Sequence, residues 1–242
     1  MLLDGNAAYQ ALHRRIGSNN TEHCTRSQTM KLYGFFRSGT SHRLRIALNL
    51  KGLTVETVAV DLRTDEHLTA AFKAINPQGL VPALVVNDDV LIQSPAIIEW
   101  LEETHPQPAL LPKTALDRAH VRALAAIVGC DIHPVNNRRI LETLRHEFAA
   151  DETAVSRWCG RWISDGFDAL ETLLARDAQR GDFCFGSAPS LADVYLIPQV
   201  ESARRFKIDV ARWPCIEAVD SACLKLDAFR LAAPGSQADA VV

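Results

Sequence analysis

Residues 31–60, KLYGFFRSGTSHRLRIALNLKGLTVETVAV, decide the fold because two strand-like runs flank a segment with helical periodicity. The run at 31–36 favours a β-strand, and the alternation of residues over 54–60 is typical of a second strand. Apolar residues recur at helical spacing over 40–51, and Gly52 follows where a helix would end. The stretch therefore predicts a strand–helix–strand unit.

The next forty residues extend this unit. The pattern predicts a helix over 65–76 and then two strands, 81–87 and 90–92, joined by a hairpin turn. Ser94 and Pro95 begin another helix, for which serine is the predicted N-cap and proline the first helical residue. The order βαβαββα is that of a small thioredoxin-like α/β domain.

The chain changes character after a proline-rich linker and becomes almost wholly helical. Long apolar stripes run over 116–147 and 152–178. Ser190 and Asp193 fit a capping box that begins a further helix to about residue 203, and another helix is expected near Pro214.

These patterns predict the domain boundaries. We expect a flexible N-terminal extension, or an upstream start before Met30, in residues 1–29. The remaining predicted segments are a thioredoxin-like domain over 30–106, a linker over 107–115, an all-helical domain over 116–232 and a loose tail over 233–242.

Composition excludes several classes of protein. The 242 residues carry 26 Lys and Arg against 29 Asp and Glu, a net charge of -3, which argues against a general nucleic-acid binder. No apolar run approaches the roughly 18 to 20 residues that span a bilayer, so we expect no membrane insertion. The six cysteines form no CxxC pair and the histidines are scattered, so no metal is implied and a reducing cytoplasm is expected.

A thioredoxin-like domain followed by a helical domain is the architecture of glutathione transferases, and four segments resemble the zeta class of that family. These segments are FFRSGTSHRLRIALNLKG (35–52), NPQGLVPALVV (76–86), LIQSPAIIEWLEE (91–103) and GCDIHPVNNRRIL (129–141). With PSLADVYLIPQVESARRFKID (189–209), the similarity covers roughly residues 31–230. The resemblance implies a glutathione-dependent isomerase that converts a maleyl oxo-acid to its fumaryl isomer in aromatic-compound catabolism.

The sequence departs from the commonest zeta pattern at two positions. Gly39 replaces the second serine of the motif, and Thr40 replaces a small residue or cysteine. The RSGTSH form resembles the maleylpyruvate enzymes more closely than the maleylacetoacetate enzymes, which makes maleylpyruvate the favoured substrate. The alternatives are a general glutathione transferase, which conjugates electrophiles, and a non-catalytic module of the same fold.

Such an isomerase needs a stabilised thiolate, which adds reversibly to the conjugated double bond, and positive groups where negative charge develops. The helix that begins near Thr40 offers unpaired N–H groups and the positive end of its dipole, and Gly39 lets backbone approach the sulfur. By resemblance, Ser38 is the thiolate-stabilising hydroxyl and Thr40 is its rival. Arg37 and Arg205 are the implied ligands of the substrate carboxylates, because guanidinium groups bind carboxylates bidentately.

Arg138 is the implied third substrate ligand, whereas Arg43, Arg45 and Arg204 are interpreted as solvated or salt-bridged structural residues. The implied partners are glutathione, a small dicarboxylate and a second copy of the chain in a homodimer. The resemblance assigns glutathione contacts to Ser38, Gly39, Thr40, His67, Val81, Gln93, Ser94, His133, Asn137 and Arg138.

Deleting residues 1–29 is expected to leave both the melting temperature and isomerase activity unchanged, because no apolar periodicity links this segment to a core. Thermal denaturation and turnover of the shortened chain test this. A fall of several degrees in melting temperature would show that the segment packs on the fold.

Overall fold

The computed structural model describes residues 29–240. Most of the predicted N-terminal extension, residues 1–28, lies outside the described residues. Thr29 does not, and its carbonyl oxygen accepts a hydrogen bond of 3.0 Å from the N–H of Asn87. Thr29, the last residue of the predicted extension, is therefore joined to the turn after β3 by a backbone hydrogen bond.

The N-terminal part contains a four-stranded mixed sheet in the order β2-β1-β3-β4, in which β1 is parallel to β2 and antiparallel to β3. The alternation of strands and helices is the thioredoxin-like order that the sequence predicts. The elements are β1 (Met30–Gly34), α1 (Gly39–Leu50), β2 (Glu56–Ala59), α2 (Ala70–Ile75), β3 (Ala83–Val86), β4 (Asp89–Ile92) and α3 (Ser94–Thr104).

Two helix starts differ from the prediction. The helix expected over 65–76 is α-helical only over Ala70–Ile75, where Thr69 is the N-cap. Its first part is a 3₁₀ turn, Glu66–Leu68, which follows Asp65 in a left-handed conformation with φ of 57°. Ser94 is the first residue of α3 rather than its N-cap. Gln93 occupies the N-cap position with φ of 68° and makes no side-chain capping bond.

The helical part contains α4 (Ala115–Ala126), α5 (Arg138–Glu147), α6 (Glu152–Arg176), α7 (Leu191–Arg205), α8 (Pro214–Cys223) and the short α9 (Asp227–Arg230). The predicted capping box is present, and its carboxylate half is the bond from the Ser190 N–H to Asp193 Oδ2 at 2.7 Å. The Ser190 hydroxyl also donates to this carboxylate at 2.7 Å.

The stripe predicted over 116–147 is not one helix. A π-helical segment, Ile127–Ile132, and a 3₁₀ turn, Pro134–Asn136, interrupt it between α4 and α5. This segment packs closely on α6, since Gly166 leaves no room for a Cβ atom beside the side chain of Ile132. Tertiary packing thus overrides the helical periodicity at this point.

Helix α1 is enclosed by both parts of the molecule, between the sheet domain and α7. Its C-terminal neighbour Lys51 is buried and donates to Glu102 at 2.8 Å and to the carbonyl oxygens of His105 and Pro108. Glu102 also accepts from the N–H groups of Leu110 and Leu111, so this ion pair holds the predicted linker against the domain.

The described part of the tail predicted to be loose, residues 233–240, contacts the N-terminal domain. Arg45 donates to the carbonyl oxygen of Ala232 just before this segment at 2.9 Å, and within the segment Asp239 Oδ2 accepts from the N–H of Phe36 at 3.0 Å. Ala240 contacts the apolar cluster that includes Phe36. The prediction was wrong because the groups that bind this segment lie about 200 positions away along the chain. Local composition carries no information about contacts that are so distant in sequence.

Asp239→Ala is expected to lower the free energy of unfolding by about 1–3 kcal/mol, because the buried N–H of Phe36 loses its acceptor. This corresponds to a fall in melting temperature of roughly 2–12 °C at this chain length. Asp239→Asn is the matched control, since its amide oxygen can still accept. Equal melting temperatures for Asp239→Ala and the unsubstituted chain would contradict the assignment.

Candidate active site

A cavity of about 440 Å³ lies between the start of α1 and the C-terminal half of α7. Four arginines line it, namely Arg37, Arg43, Arg204 and Arg205, with Glu201 the one acidic residue among the described lining side chains. The surplus of positive charge suits a small anionic ligand rather than an apolar one.

The turn between β1 and α1 forms one wall of the site. Ser38 is the N-cap of α1, and its Oγ accepts from the N–H of Ser41 at 3.2 Å and lies 3.0 Å from Thr40 Oγ1. Thr40 Oγ1 donates its only proton to the carbonyl oxygen of Val81 at 2.9 Å. The proton between the two hydroxyls must therefore come from Ser38, which can redirect it towards a ligand.

The turn before β3 faces this helix start. The Val81–Pro82 peptide bond is cis, as the resemblance implied. The Val81 carbonyl oxygen accepts from Thr40 and retains a second lone pair, whereas the Val81 N–H donates to no group within residues 29–240. Val81 thus presents one donor and one acceptor of the kind that bind an extended peptide.

A second helix start adds to the same region. Gln93 is exposed, and its Nε2 donates to Gln78 Oε1 at 2.6 Å. Its positive φ is unfavourable for a residue with a side chain, and such strain is typical of ligand-binding positions. Ser94 begins α3, whose first-turn N–H groups favour an anion.

Arg37 and Arg205 both reach the cavity, as predicted. Arg37 is exposed and forms no ion pair with the described residues, and Arg205 donates to Ser202 Oγ at 3.3 Å. Partial burial and the like charge of Arg37 lower the pKa of Arg205. Two guanidinium groups that line one cavity can together bind the two carboxylates of a dianion.

His133 lies beside the thiolate turn, since a Cβ atom added to Gly39 would be 3.7 Å from its ring. Burial and the charges of Arg43 and Arg205 lower the pKa of His133 to about 3, so the imidazole is neutral at physiological pH. Its Nε2 is buried and has no hydrogen-bond partner among the described residues. The ring therefore offers an unused polar atom to the cavity.

Three predicted residues are not among those that line this cavity. Arg138 pairs with Asp65 at 3.0 Å and is not among the cavity-lining residues, so its role as a third substrate ligand stays a prediction. Asn137 caps α5 through its side chain. His67 lies in the 3₁₀ turn Glu66–Leu68. Its pKa is lowered mainly by burial and also by the positive charge of Arg138.

Sequence reasoning missed part of the cavity wall. Asn136 lines the cavity and both atoms of its side-chain amide are buried without partners, although only its neighbour Asn137 was predicted. His42 also lines the cavity, and burial lowers its pKa to about 3. The sequence gives no signal that distinguishes Asn137, which caps a helix, from Asn136, which lines the cavity.

Arg43 and Arg45 are buried, contrary to their interpretation as solvated or salt-bridged residues. Neither forms an ion pair with a described residue; Arg45 binds backbone carbonyl groups and Arg43 binds Ser94. Arg204 does fit that interpretation, since it pairs with the buried Asp220.

Comparison with known proteins agrees with this architecture. Residues 37–104 match the model of the glutathione S-transferase N-terminal domain, and residues 152–221 match that of the C-terminal domain. The chain belongs to the glutathione S-transferase family, and both the predicted fold class and the resemblance to its zeta class are confirmed.

Several relatives carry more specific names. The chain is 68% identical over 210 residues to a maleylpyruvate isomerase from a Ralstonia species, covering 87% of this chain and 99% of that protein. A holo structure of a zeta-class maleyl pyruvate isomerase is 67% identical, covers 87% of this chain and all of that chain, and has a TM-score of 0.86. A maleylacetoacetate isomerase from Methylobacterium extorquens, with bound malonate and glutathione, is 39% identical, covers 88% and 100% of the two chains, and has a TM-score of 0.85.

Proposed function

We propose that this protein is a glutathione-dependent cis–trans isomerase of maleyl oxo-acids, with maleylpyruvate as its preferred substrate. The observation that carries the proposal is the pair Arg37 and Arg205, which line one cavity beside the Ser38 turn without an anionic partner among the described residues. The similarity to maleylpyruvate isomerase supports the same activity. A relative with bound malonate and glutathione supports the pairing of a dicarboxylate with glutathione.

The residues present fit glutathione. The free N–H and second carbonyl lone pair of Val81 match the backbone of its cysteinyl residue, and the start of α3 at Ser94 matches its γ-glutamyl carboxylate. Ser38 has a proton that can turn towards the sulfur, whereas the proton of Thr40 is held by Val81. Ser38 is therefore the hydroxyl we assign to the thiolate, and Thr40 shapes the turn.

Bound glutathione supplies a thiolate that adds reversibly to the conjugated double bond and so permits rotation. Ser38 and the first-turn N–H groups of α1 stabilise negative charge at that position. Arg37 and Arg205 bind the two carboxylates and hold the substrate in one orientation. A neutral His133 can donate an N–H where charge develops on the substrate without adding to the repulsion between the arginines.

We further propose that His67, Gln93, Asn137 and Arg138 border the glutathione site, and that the enzyme is a cytoplasmic homodimer. The family resemblance supports both statements. Within residues 29–240 no helix is long and apolar enough to cross a membrane. Sedimentation of the purified protein with and without glutathione tests the dimer.

One assay tests the proposed function: isomerisation of maleylpyruvate and of maleylacetoacetate, followed by ultraviolet absorbance, with and without glutathione. We expect turnover only with glutathione, no net consumption of it, and a higher kcat/KM for maleylpyruvate. Consumption of one glutathione per product would identify a conjugating transferase. Absence of turnover with both substrates would favour a binding module.

Ser38→Ala is expected to raise the pKa of bound glutathione thiol by roughly 1–2, because one charge-assisted hydrogen bond is worth about 1.5–3 kcal/mol. The ultraviolet absorbance of the thiolate against pH measures this, and kcat should fall with it. Thr40→Val removes the bond to Val81 and should instead weaken glutathione binding with a smaller change in thiol pKa. The opposite pattern would assign the thiolate to Thr40.

Arg205→Ala is expected to lower kcat/KM for maleylpyruvate by roughly 10²-fold, the scale of a lost charge-assisted pair at about 1.5–3 kcal/mol. Glutathione affinity should change much less. Arg212→Ala is a matched control, because Arg212 lies 4.8 Å from the Trp213 ring as Arg205 lies 5.2 Å from that of Phe206, yet it does not line the cavity. An unchanged kcat/KM in Arg205→Ala would remove this residue from the site.

A further inference from the structure

The backbone directly before Arg37 is held by the C-terminal tail, residues 233–240. Strand β1 ends at Gly34, so the hydrogen bonds of the sheet do not reach this part of the turn. The N–H of Phe36 donates to Asp239 Oδ2 at 3.0 Å, and no other group within residues 29–240 accepts from it. Because Phe36 is buried, water does not replace this acceptor. Asp239 therefore fixes the peptide group from which the chain continues to Arg37.

Arg45 joins the same stretch of backbone to the start of the tail. It is buried on α1 and donates to the carbonyl oxygen of Phe36 at 2.8 Å and to that of Ala232 at 2.9 Å. Burial lowers the pKa of Arg45 to about 10, and the negative charge of Asp239 opposes this change. Phe36 is thus bound through its N–H by an anion of the tail. Through its carbonyl group it is bound by a cation that also binds the residue just before the tail.

The side chain of Arg37 has few contacts of its own that could hold it in place. It is exposed and forms no ion pair with the described residues. Its guanidinium lies near the ring of Phe36, with 5.8 Å between Cζ and the ring centre. The place of Arg37 in the cavity wall therefore depends on the backbone that carries it. A rotated peptide group before Arg37 would turn the end of this long side chain away from the carboxylate it binds.

The tail also reaches the cavity itself. Pro234, near the start of the tail, lines the cavity together with Arg37. At the other end of the tail, Ala240 packs on the apolar cluster that contains Phe36 and Val81. The tail therefore runs from the cavity wall to the back of the turn that carries Arg37. Ala240 covers the apolar cluster without the help of a carboxylate, so apolar packing does not explain why an aspartate binds the Phe36 N–H.

We propose that Asp239 is a positioning residue for the isomerisation: it acts through the Phe36 N–H to hold Arg37 where the guanidinium meets a substrate carboxylate. The inference rests on the proposed function, because it requires Arg37 to bind a dicarboxylate. Asp239 is not among the residues that line the cavity, and its effect reaches the substrate through Arg37. A guanidinium binds a carboxylate bidentately only in a defined orientation, so its backbone must be fixed. The C-terminal tail is thereby part of the substrate site.

The test compares Asp239→Ala and Asp239→Asn with the unsubstituted enzyme, at a temperature well below all three unfolding transitions. We expect Asp239→Ala to lower kcat/KM for maleylpyruvate by about 10- to 100-fold, the scale on which a misplaced binding group slows an enzyme. Glutathione affinity, measured by calorimetric titration, should change less than about threefold, because Val81 and the start of α3 keep their positions. Asp239→Asn should retain kcat/KM within about threefold, since its amide oxygen can still accept from Phe36.

Asp151→Ala is the matched control for a loss of stability. Asp151 is the N-cap of α6 and accepts from the N–H of Ala154 at 2.7 Å, yet it does not line the cavity. Its removal should lower the melting temperature and leave kcat/KM unchanged. An equal loss of kcat/KM in Asp151→Ala would show that lower stability slows the enzyme, which would overturn the positioning role of Asp239.

A double-mutant cycle with Arg37→Ala tests the route of the effect. If Asp239 acts through Arg37, Asp239→Ala should lower kcat/KM by less than about threefold once residue 37 is alanine. A loss as large as in the unsubstituted enzyme would overturn the inference. Should Asp239→Ala not fold, Asp239→Glu keeps the carboxylate and moves it by one methylene group. It is expected to lower kcat/KM about 10-fold, and an unchanged value would contradict the proposal.

Failure of the inference and failure of the proposed function give different results. If the unsubstituted enzyme isomerises neither maleylpyruvate nor maleylacetoacetate, the proposed function fails and the inference fails with it. If it isomerises either one and Asp239→Ala retains full kcat/KM, the inference fails while the function stands. A loss of glutathione affinity as large as the loss of kcat/KM would also overturn the inference, because the defect would then lie in the glutathione site.

Discussion

The enclosure of helix α1 is the constraint on which the rest of the structure depends. Leu44, Ile46 and Leu48 are almost wholly inaccessible to water, and burial of each contributes about 1.5–3 kcal/mol. The helix begins at the Ser38 turn, which we assign to the chemistry, and ends at Lys51, whose ion pair with Glu102 holds the linker. One rigid element therefore fixes the reactive turn and the connection between the two domains.

The polar residues of α1 divide into two groups by how well they are satisfied. Ser41 accepts from the N–H of Phe35, and Arg45 donates to three carbonyl groups, so both close the turn before the helix. His42 and Arg43 face the cavity and each retains a buried nitrogen without a partner. Unsatisfied polar atoms collect on the ligand side, as expected where function opposes stability.

Sequence reasoning succeeded where the signal was local and failed where it was not. The periodicity around Leu44, the Gly52 helix end and the Ser190 capping box each depend on neighbours within a few residues. The packed tail at Asp239 and the interrupted helix at Ile132 depend on contacts that are distant in sequence or on close approach at a glycine. The resemblance implied Arg37 and Arg205, whereas the burial of Arg43 without an acidic partner among the described residues has no signature in the sequence.

Net charge illustrates the same difference between local and global information. A net charge of -3 argues against a general polyanion binder, yet four arginines line one cavity. Arg37 belongs to the sheet domain and Arg205 ends α7, so neither domain alone sets the distance between them. The packing of α1 on α7 sets the distance between these two arginines. The two candidate substrates differ by one methylene group, so discrimination between them depends on how rigidly that interface holds the two guanidinium groups apart.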